Sequence, residues 1–108
     1  MTPGPNQAQA LKQLQKMQAE MARVQEELKS DLVTASAGGG AVKVTMSADL
    51  KVTDVVIDAR AIDPEEAEML QDMVAAAVNE ALRQAQELQN TKMSRVMGGM
   101  NLPGGLGL

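Results

Sequence analysis

Between Asp63 and Leu88 the apolar residues recur every three or four positions, which is the spacing of an α-helix. The segment opens with Asp63, Pro64 and Glu65, which supply an N-cap acid, a proline at the first helical position and an early carboxylate. The main apolar row comprises Ala67, Leu70, Val74, Ala77, Val78, Ala81, Ala85 and Leu88. A second row comprises Met69, Met73, Ala76 and Leu82. A stripe this wide must be covered on two sides, and in a chain of 108 residues the second cover is predicted to be another copy of the protein.

A second helical pattern lies near the N-terminus. Asn6 and Gln9 are spaced as a capping pair, and Gln, Lys and Glu fill a solvated face. The apolar seam alternates steps of four and three, as in a coiled coil, through Ala10, Leu14, Met17, Met21, Val24 and Leu28. Because methionine specifies a coiled-coil partner weakly, packing within the chain competes with packing between chains as the explanation of this seam.

Between the two helical patterns the period changes to two. Residues 32–37 are β-permissive, and Gly38 to Gly40 predict a turn. Val42, Val44 and Met46 then alternate with polar residues, as in a half-buried strand. The triple glycine is not followed by a helix or a Lys-Ser/Thr pair, so a hairpin turn explains it better than a phosphate-binding loop.

A third strand is predicted at residues 51–58. Val55 and Ile57 share one face, whereas Val52 is out of phase with them, which predicts a bulge near Thr53 and Asp54. The predicted order is therefore helix, three strands, helix. This is an α+β protomer in which an antiparallel meander has one apolar face.

The two helices are too long for the sheet that they would cover. At about 1.5 Å per residue each spans on the order of 35 Å, whereas a seven-residue strand covers about 23 Å. The overhanging stripes predict a two-fold homodimer. The predicted interface residues are Leu14, Met17, Met21, Leu70, Val74, Ala77, Val78 and Ala81. We predict a flexible N-terminus at residues 1–5, one domain at residues 6–92 and a flexible Gly/Met/Pro tail at residues 93–108.

The composition of the chain excludes most kinds of catalytic and ligand-binding chemistry. The chain has no His, Cys, Trp, Tyr or Phe, which excludes imidazole and thiolate catalysis, disulfides and base stacking on aromatic rings. Glu65, Glu68 and Asp72 share a helical face that could hold a hard cation, but carboxylates are also favoured at any helix N-terminus. We therefore predict no enzyme, cofactor, metal site or small-molecule substrate. No segment has the length of a transmembrane helix, and the N-terminus lacks the features of a signal peptide, which predicts a cytoplasmic protein without a membrane partner.

The distribution of charge is more informative than the net charge of −4. Lys12, Lys16 and Arg23 lie on one stripe of the first helix, although Lys16 and Arg23 have acidic neighbours at ion-pair spacing. The acidic total argues against tight binding of nucleic acid. Composition alone favours a dimeric interaction module over a DNA-binding protein.

The chain resembles the YbaB/EbfC family of bacterial nucleoid-associated proteins. The resemblance rests on the methionine- and glutamine-rich first helix at residues 14–18, and on residues 37–44, 56–58, 68–81 and 92–93. It implies a tweezer-like homodimer with projecting helices that binds double-stranded DNA in the nucleoid and affects gene expression. Family members are often encoded near replication and recombination genes, so the alternative is a protein–protein module acting beside those proteins.

The resemblance supplies no fixed catalytic set and attributes DNA contacts to the helices. It therefore implies contacts from the basic residues of the two helices and the segment that follows them. These are Lys12, Lys16, Arg23, Arg83, Lys92 and Arg95. We expect them to bind mainly phosphates, with little reading of base edges.

Overall fold

The structure is a computed structural model that describes residues 5–98. Along the chain its elements are α1 (Pro5–Ser30), β1 (Leu32–Ala37), β2 (Val42–Ser47), β3 (Val52–Ile57), two 3₁₀ turns (Ala59–Ala61 and Pro64–Glu66) and α2 (Ala67–Gly98). The predicted α-β-β-β-α order and the α+β class are confirmed. Of the flexible segments predicted at residues 1–5 and 93–108, residues 1–4 and 99–108 lie outside the described residues.

The strands form one antiparallel sheet in the order β1-β2-β3. Thr45 pairs with Asp54, and the next residue, Met46, pairs with Val52. Thr53 is therefore the extra residue of a bulge, which confirms the predicted position. In the β1–β2 turn all three glycines have positive φ, and a Cβ on Gly38 would overlap the sulfur of Met73. The turn thus needs glycine both for its backbone and for its packing on α2.

The main core lies between α2 and the first two strands. Ala77, Ala81 and Ala85 of α2 are fully buried, and so are Val42 and Val44 of β2. Alanine side chains are short, so the helix axis can approach the sheet closely. Further apolar residues of both rows of α2 pack around this centre, namely Leu70, Met73, Val74, Val78 and Leu82. The wide stripe is therefore largely covered by the protein's own sheet.

The predicted interface residues of α2 pack within the single chain. Ala77 and Ala81 have no exposed surface even in the single chain, so they have nothing to offer a partner. Leu70, Val74 and Val78 are half-buried against the same core. The helix α2 packs on β1 and β2 and leaves most of β3 uncovered. In the single chain the alanine spacing of α2 forms the contact between helix and sheet.

A smaller second core joins the two helices. Val24 and Leu28 of α1 are buried together with Ala48 from the β2–β3 turn. Leu88, Met93 and Val96 of α2 pack against them, so the C-terminal half of α1 runs antiparallel to the end of α2. The rest of α1, residues 5–19, is called the arm below. The protein is correspondingly elongated, with extents of 76 × 27 × 17 Å.

The ends of α2 differ from the predicted ones. Asp63 accepts a hydrogen bond from the Glu65 backbone N–H at 3.0 Å, as an N-cap should, but the turn that it caps is 3₁₀ and α2 begins at Ala67. At the other end α2 continues to Gly98, beyond the predicted domain boundary at residue 92. Within this continuation Met93 and Val96 pack against the second core.

Neither helix in the described part of the chain has a long apolar run of the kind that crosses a membrane.

Candidate nucleic-acid interface

The arm is an exposed helix that carries positive charge alone. Every residue from 6 to 16 is exposed. The arm contains Lys12 and Lys16, and the first carboxylate of the chain is Glu20. The two lysines lie about one turn apart, roughly 120° around α1 from Val24 and Leu28, which pack on α2. Both lysines are exposed.

The remainder of the described chain is acidic. Residues 20–98 contain eight basic and fourteen acidic side chains, so the net charge of −4 hides a positive arm and a negative body. Within residues 5–98, Lys12 and Lys16 form no salt bridge, whereas most other cations do. A polyanion approaching this molecule would meet its most favourable potential at the arm.

Arg23 continues the lysine stripe but is neutralised. Its guanidinium donates to Glu20 Oε2 at 2.6 Å and also to the Glu27 carboxylate. The hydrogen bond that Arg23 donates to Glu20 and the two nearby negative charges raise the pKa of Arg23. The i, i+3 and i, i+4 spacings that allow these pairs are visible in the sequence. The cation is therefore shared with two carboxylates before any ligand arrives.

Arg83 is held in the same way on α2. Its Nη2 lies 2.6 Å from Glu80 Oε1, and its Nη1 lies 3.0 Å from Glu87 Oε2. The hydrogen bond from Arg83, with a smaller one from Gln84, lowers the pKa of Glu80 to about 2. This cluster carries a net negative charge, which makes it a poor place for a DNA phosphate.

Lys92, another predicted DNA contact, lies between two carboxylates. Its side chain is only 19% exposed, and its Nζ lies 3.0 Å from Glu27 Oε2 and in contact with the Asp31 carboxylate. The hydrogen bond to Asp31, followed by that to Glu27, raises the pKa of Lys92. Lys92 in turn lowers the pKa of Glu27. It is a bridge between α2 and the end of α1, not a displayed cation.

Two other cations form no salt bridge within residues 5–98. Arg95 is exposed in the last turn of α2, beside the groove that Glu20 and Arg23 also line. Lys43 is exposed on β2, on the face of the sheet opposite Val42 and Val44. The sequence-based set omitted Lys43, although strand alternation places it toward solvent. Lys12, Lys16 and Arg95 thus lie on the helices, and Lys43 lies apart from them on the sheet.

The uncovered apolar surface lies elsewhere. In the register of the sheet Val52 and Val55 of β3 face the same way as Met46 and Val44, yet they are 47% and 44% exposed. Ile62 and Met69, from the segments that follow β3, are also exposed. Of the predicted interface residues on α1, Leu14 is exposed, whereas Met17 and Met21 are half-buried.

No group of three or more acidic side chains in residues 5–98 is arranged to hold a metal ion.

Comparisons with known proteins identify relatives over almost the whole chain. The model of the YbaB/EbfC DNA-binding family matches residues 3–100. A nucleoid-associated protein of Pelotomaculum thermopropionicum is 48% identical over 101 residues, which cover 94% of this chain and 96% of the relative. A nucleoid-associated protein of Moorella thermoacetica is 52% identical over 99 residues, covering 92% and 95% respectively.

The fold also occurs among solved structures. The crystal structure of the uncharacterized protein HP0035 from Helicobacter pylori gives a TM-score of 0.73, covering 90% of this chain and 100% of that chain. Its sequence identity is 24%, so this likeness concerns the fold alone.

Proposed function

The chain belongs to the YbaB/EbfC DNA-binding family, and from this premise we propose that it binds double-stranded DNA as a homodimer, mainly through phosphate contacts. The arm makes the principal contacts, through Lys12 and Lys16, and Arg95 adds charge at the end of α2. In the cell the protein acts in the cytoplasm on the nucleoid, where it contributes to DNA organisation and gene expression.

The observation that carries this proposal is the absence of carboxylates from the arm. A lysine that is already paired with two carboxylates neutralises a phosphate poorly and therefore displaces few counterions from the DNA. An unpaired exposed lysine keeps its full charge for a phosphate. Lys12 and Lys16 form no salt bridge within residues 5–98, and no acid precedes Glu20. The arm also carries five glutamines, whose amides can hydrogen-bond to phosphate or sugar oxygens.

The homodimer is supported by the uncovered half of the sheet. Val52 and Val55 continue the apolar face that α2 covers on β1 and β2, and the exposed Ile62 and Met69 add to the apolar surface. Contiguous apolar surface of this kind marks an interface more often than a solvated surface. A second copy doubles the number of arms, and therefore the number of phosphate contacts, without any new type of contact.

The test is DNA binding measured by fluorescence anisotropy across a salt series, with two short duplexes of unrelated sequence. We expect similar affinities for both duplexes and a steep linear fall of the logarithm of the binding constant with the logarithm of the salt concentration. The variant with Lys12→Gln and Lys16→Gln should weaken binding on the order of tenfold. Its salt slope should fall by about one for each phosphate contact that is lost.

A matched control removes the same charge from the body. Lys29 pairs with Glu26 and Lys51 lies near Asp49, and both lysines are exposed. The variant with Lys29→Gln and Lys51→Gln should keep the parent affinity and salt slope. If the control weakens binding as much as the arm variant, net charge matters and the arm does not.

Two other outcomes change the proposal. Loss of affinity for one duplex alone would indicate base readout. A folded dimer that binds neither duplex would favour the alternative of a protein–protein module beside replication or recombination proteins, with the exposed Leu11 and Leu14 as its contact surface.

A further inference from the structure

The two helices are joined over a short length. The apolar part of this joint comprises Val24, Leu28 and Ala48, with three residues of α2 packed around them. The arm itself is exposed from residue 6 to residue 16. The direction of the arm therefore depends on a few contacts near the C-terminal end of α1.

Lys92 is the polar centre of this joint. Its Nζ donates both to Glu27, in the last turn of α1, and to Asp31, between α1 and β1. The Asp31 backbone N–H donates to the Glu27 carbonyl at 2.9 Å, so the two carboxylates are held on one backbone turn. The positive charge also lies at the C-terminus of α1, where the helix dipole favours a cation.

Neighbouring hydrogen bonds tie the same point to the sheet. The Ala48 backbone N–H donates to the Asp31 carbonyl at 2.8 Å. From α2, Gln89 Nε2 donates to the Ala48 carbonyl at 2.6 Å. Lys92 and Gln89 lie about one turn apart on α2, so this helix is fixed to the end of α1 and to the β2–β3 turn together. Lys92 therefore belongs to a connected set of hydrogen bonds and does not form an isolated surface ion pair.

Because α1 is long, a small change in its direction at the joint displaces the arm lysines that are proposed to contact DNA. Lys12 lies about 22 Å along the helix from Glu27, at about 1.5 Å per residue. A tilt of about 10° at the joint would therefore move Lys12 by about 4 Å, which is comparable to the rise of about 3.4 Å per phosphate along the helix axis of DNA. Small changes at Lys92 would move the arm lysines out of register with the phosphates that they contact.

We propose that Lys92 is a positioning residue for DNA binding: it sets the direction of the arm and contacts no phosphate. This inference rests on the proposed function of the arm. Without the Lys92 bridge the arm samples more directions, and only a fraction of them match the phosphate backbone. The apparent affinity then falls in proportion to that fraction, while the number of phosphates contacted in the complex is unchanged.

The experiment compares Lys92→Gln with the conservative Lys92→Arg and with Lys29→Gln as a control. Lys29 lies in the last turn of α1 and pairs with Glu26 of its own helix, so its loss leaves the joint intact. Since the chain has no cysteine, the substitutions Gln13→Cys and Thr53→Cys introduce the only two thiols, and each can carry a spin label. Labelled chains are diluted with unlabelled ones, so that pulsed electron resonance reports the distance between arm and sheet within one chain.

We expect Lys92→Gln to broaden this distance distribution and to weaken DNA binding about fivefold, with the salt slope of the parent, as when the competent fraction falls to about one fifth. Lys92→Arg should restore the narrow distribution and most of the affinity, and Lys29→Gln should match the parent. Asp31→Asn breaks the same bridge from the other side and should reproduce the effects of Lys92→Gln. If one of the two variants proves unstable, the other still tests the bridge.

A salt slope reduced by about one per protomer, with an unchanged distance distribution, would make Lys92 a phosphate contact and overturn the proposal. An unchanged distribution with unchanged affinity would overturn it too, because the apolar contacts would then suffice to hold the arm. If the parent chain binds no DNA, the proposed function fails, whereas the distance measurement still decides whether Lys92 holds the arm.

Discussion

The first half of α1 and the first half of α2 are both amphipathic helices, yet the structure uses them in opposite ways. In α2 the apolar side is pressed against β1 and β2, and its outer side carries carboxylates. In the arm the apolar Leu11 and Leu14 remain exposed, and the only charges are Lys12 and Lys16. The same helical period thus produces a core element in one place and a free surface in the other.

This comparison shows that the net charge of a small protein is a poor guide to its ligands. What matters is whether a given cation is already shared with carboxylates. Arg23, Arg83 and Lys92 each contact two carboxylates, whereas Lys12 and Lys16 form no salt bridge in the part of the chain that the structure describes. An acidic chain can therefore present a locally basic surface to a polyanion.

The sharpest test of the difference places the same charge in each region. Val44→Asp should lower the free energy of unfolding by about 3 kcal/mol or more, because Val44 is fully buried and a carboxylate there would have no partner. Leu11→Asp on the arm should change it by less than about 0.5 kcal/mol. Urea unfolding followed by circular dichroism measures both. Similar losses would mean that the arm is part of the cooperative core.

A second test concerns the uncovered half of the sheet. Val55→Asp should shift the protein toward monomer, since it places a charge in the proposed contact between copies. Val56 is the matched control, because it is the next residue of the same strand, is 53% exposed and faces the other side of the sheet. Light scattering should give about twice the chain mass of 11.4 kDa for the parent and for Val56→Asp. Dissociation by both substitutions equally, or by Val56→Asp alone, would move the interface away from the inner face.

Local patterns predicted the fold well. Strand alternation, the glycine turn and the out-of-phase Val52 led to the correct sheet and to the bulge at Thr53. The continuation of α2 after Asn90 has no counterpart in the sequence pattern, because these residues show little periodicity and are held by a core that α1 helps to build. The sequence contains no local signal for such a distant contact.

The site was less accessible to sequence reasoning. The partners of Arg23 and Arg83 lie three or four residues away on the same helix, so their neutralisation follows from helical spacing. The partners of Lys92 lie 65 and 61 residues away in sequence. Its role as a bridge depends on how α1 and α2 cross, which no pattern within either helix determines.

The smallest predicted effect belongs to Arg83, on the acidic helix. The pKa of Glu80 in the folded protein is about 2, below its ordinary value of 4.5, chiefly because Arg83 donates to it. A depressed pKa stabilises the folded state above about pH 4.5, and this contribution is lost as the pH falls through about 2. Arg83→Gln should raise the pKa of Glu80 toward 4.5, although Gln84 still donates to it at 3.3 Å.

Nuclear magnetic resonance titration of the Glu80 carboxyl group measures this shift, and urea unfolding across pH measures the linked stability. The variant should be slightly less stable than the parent at neutral pH and equally stable well below about pH 2, because Glu80 is then protonated whether or not Arg83 is present. Its DNA affinity and salt slope should remain those of the parent, since Glu80 and Glu87 already balance the guanidinium. A salt slope that falls by about one would instead mean that Arg83 leaves its carboxylates for a phosphate. The contrast between a neutralised body and a positive arm would then fail at Arg83.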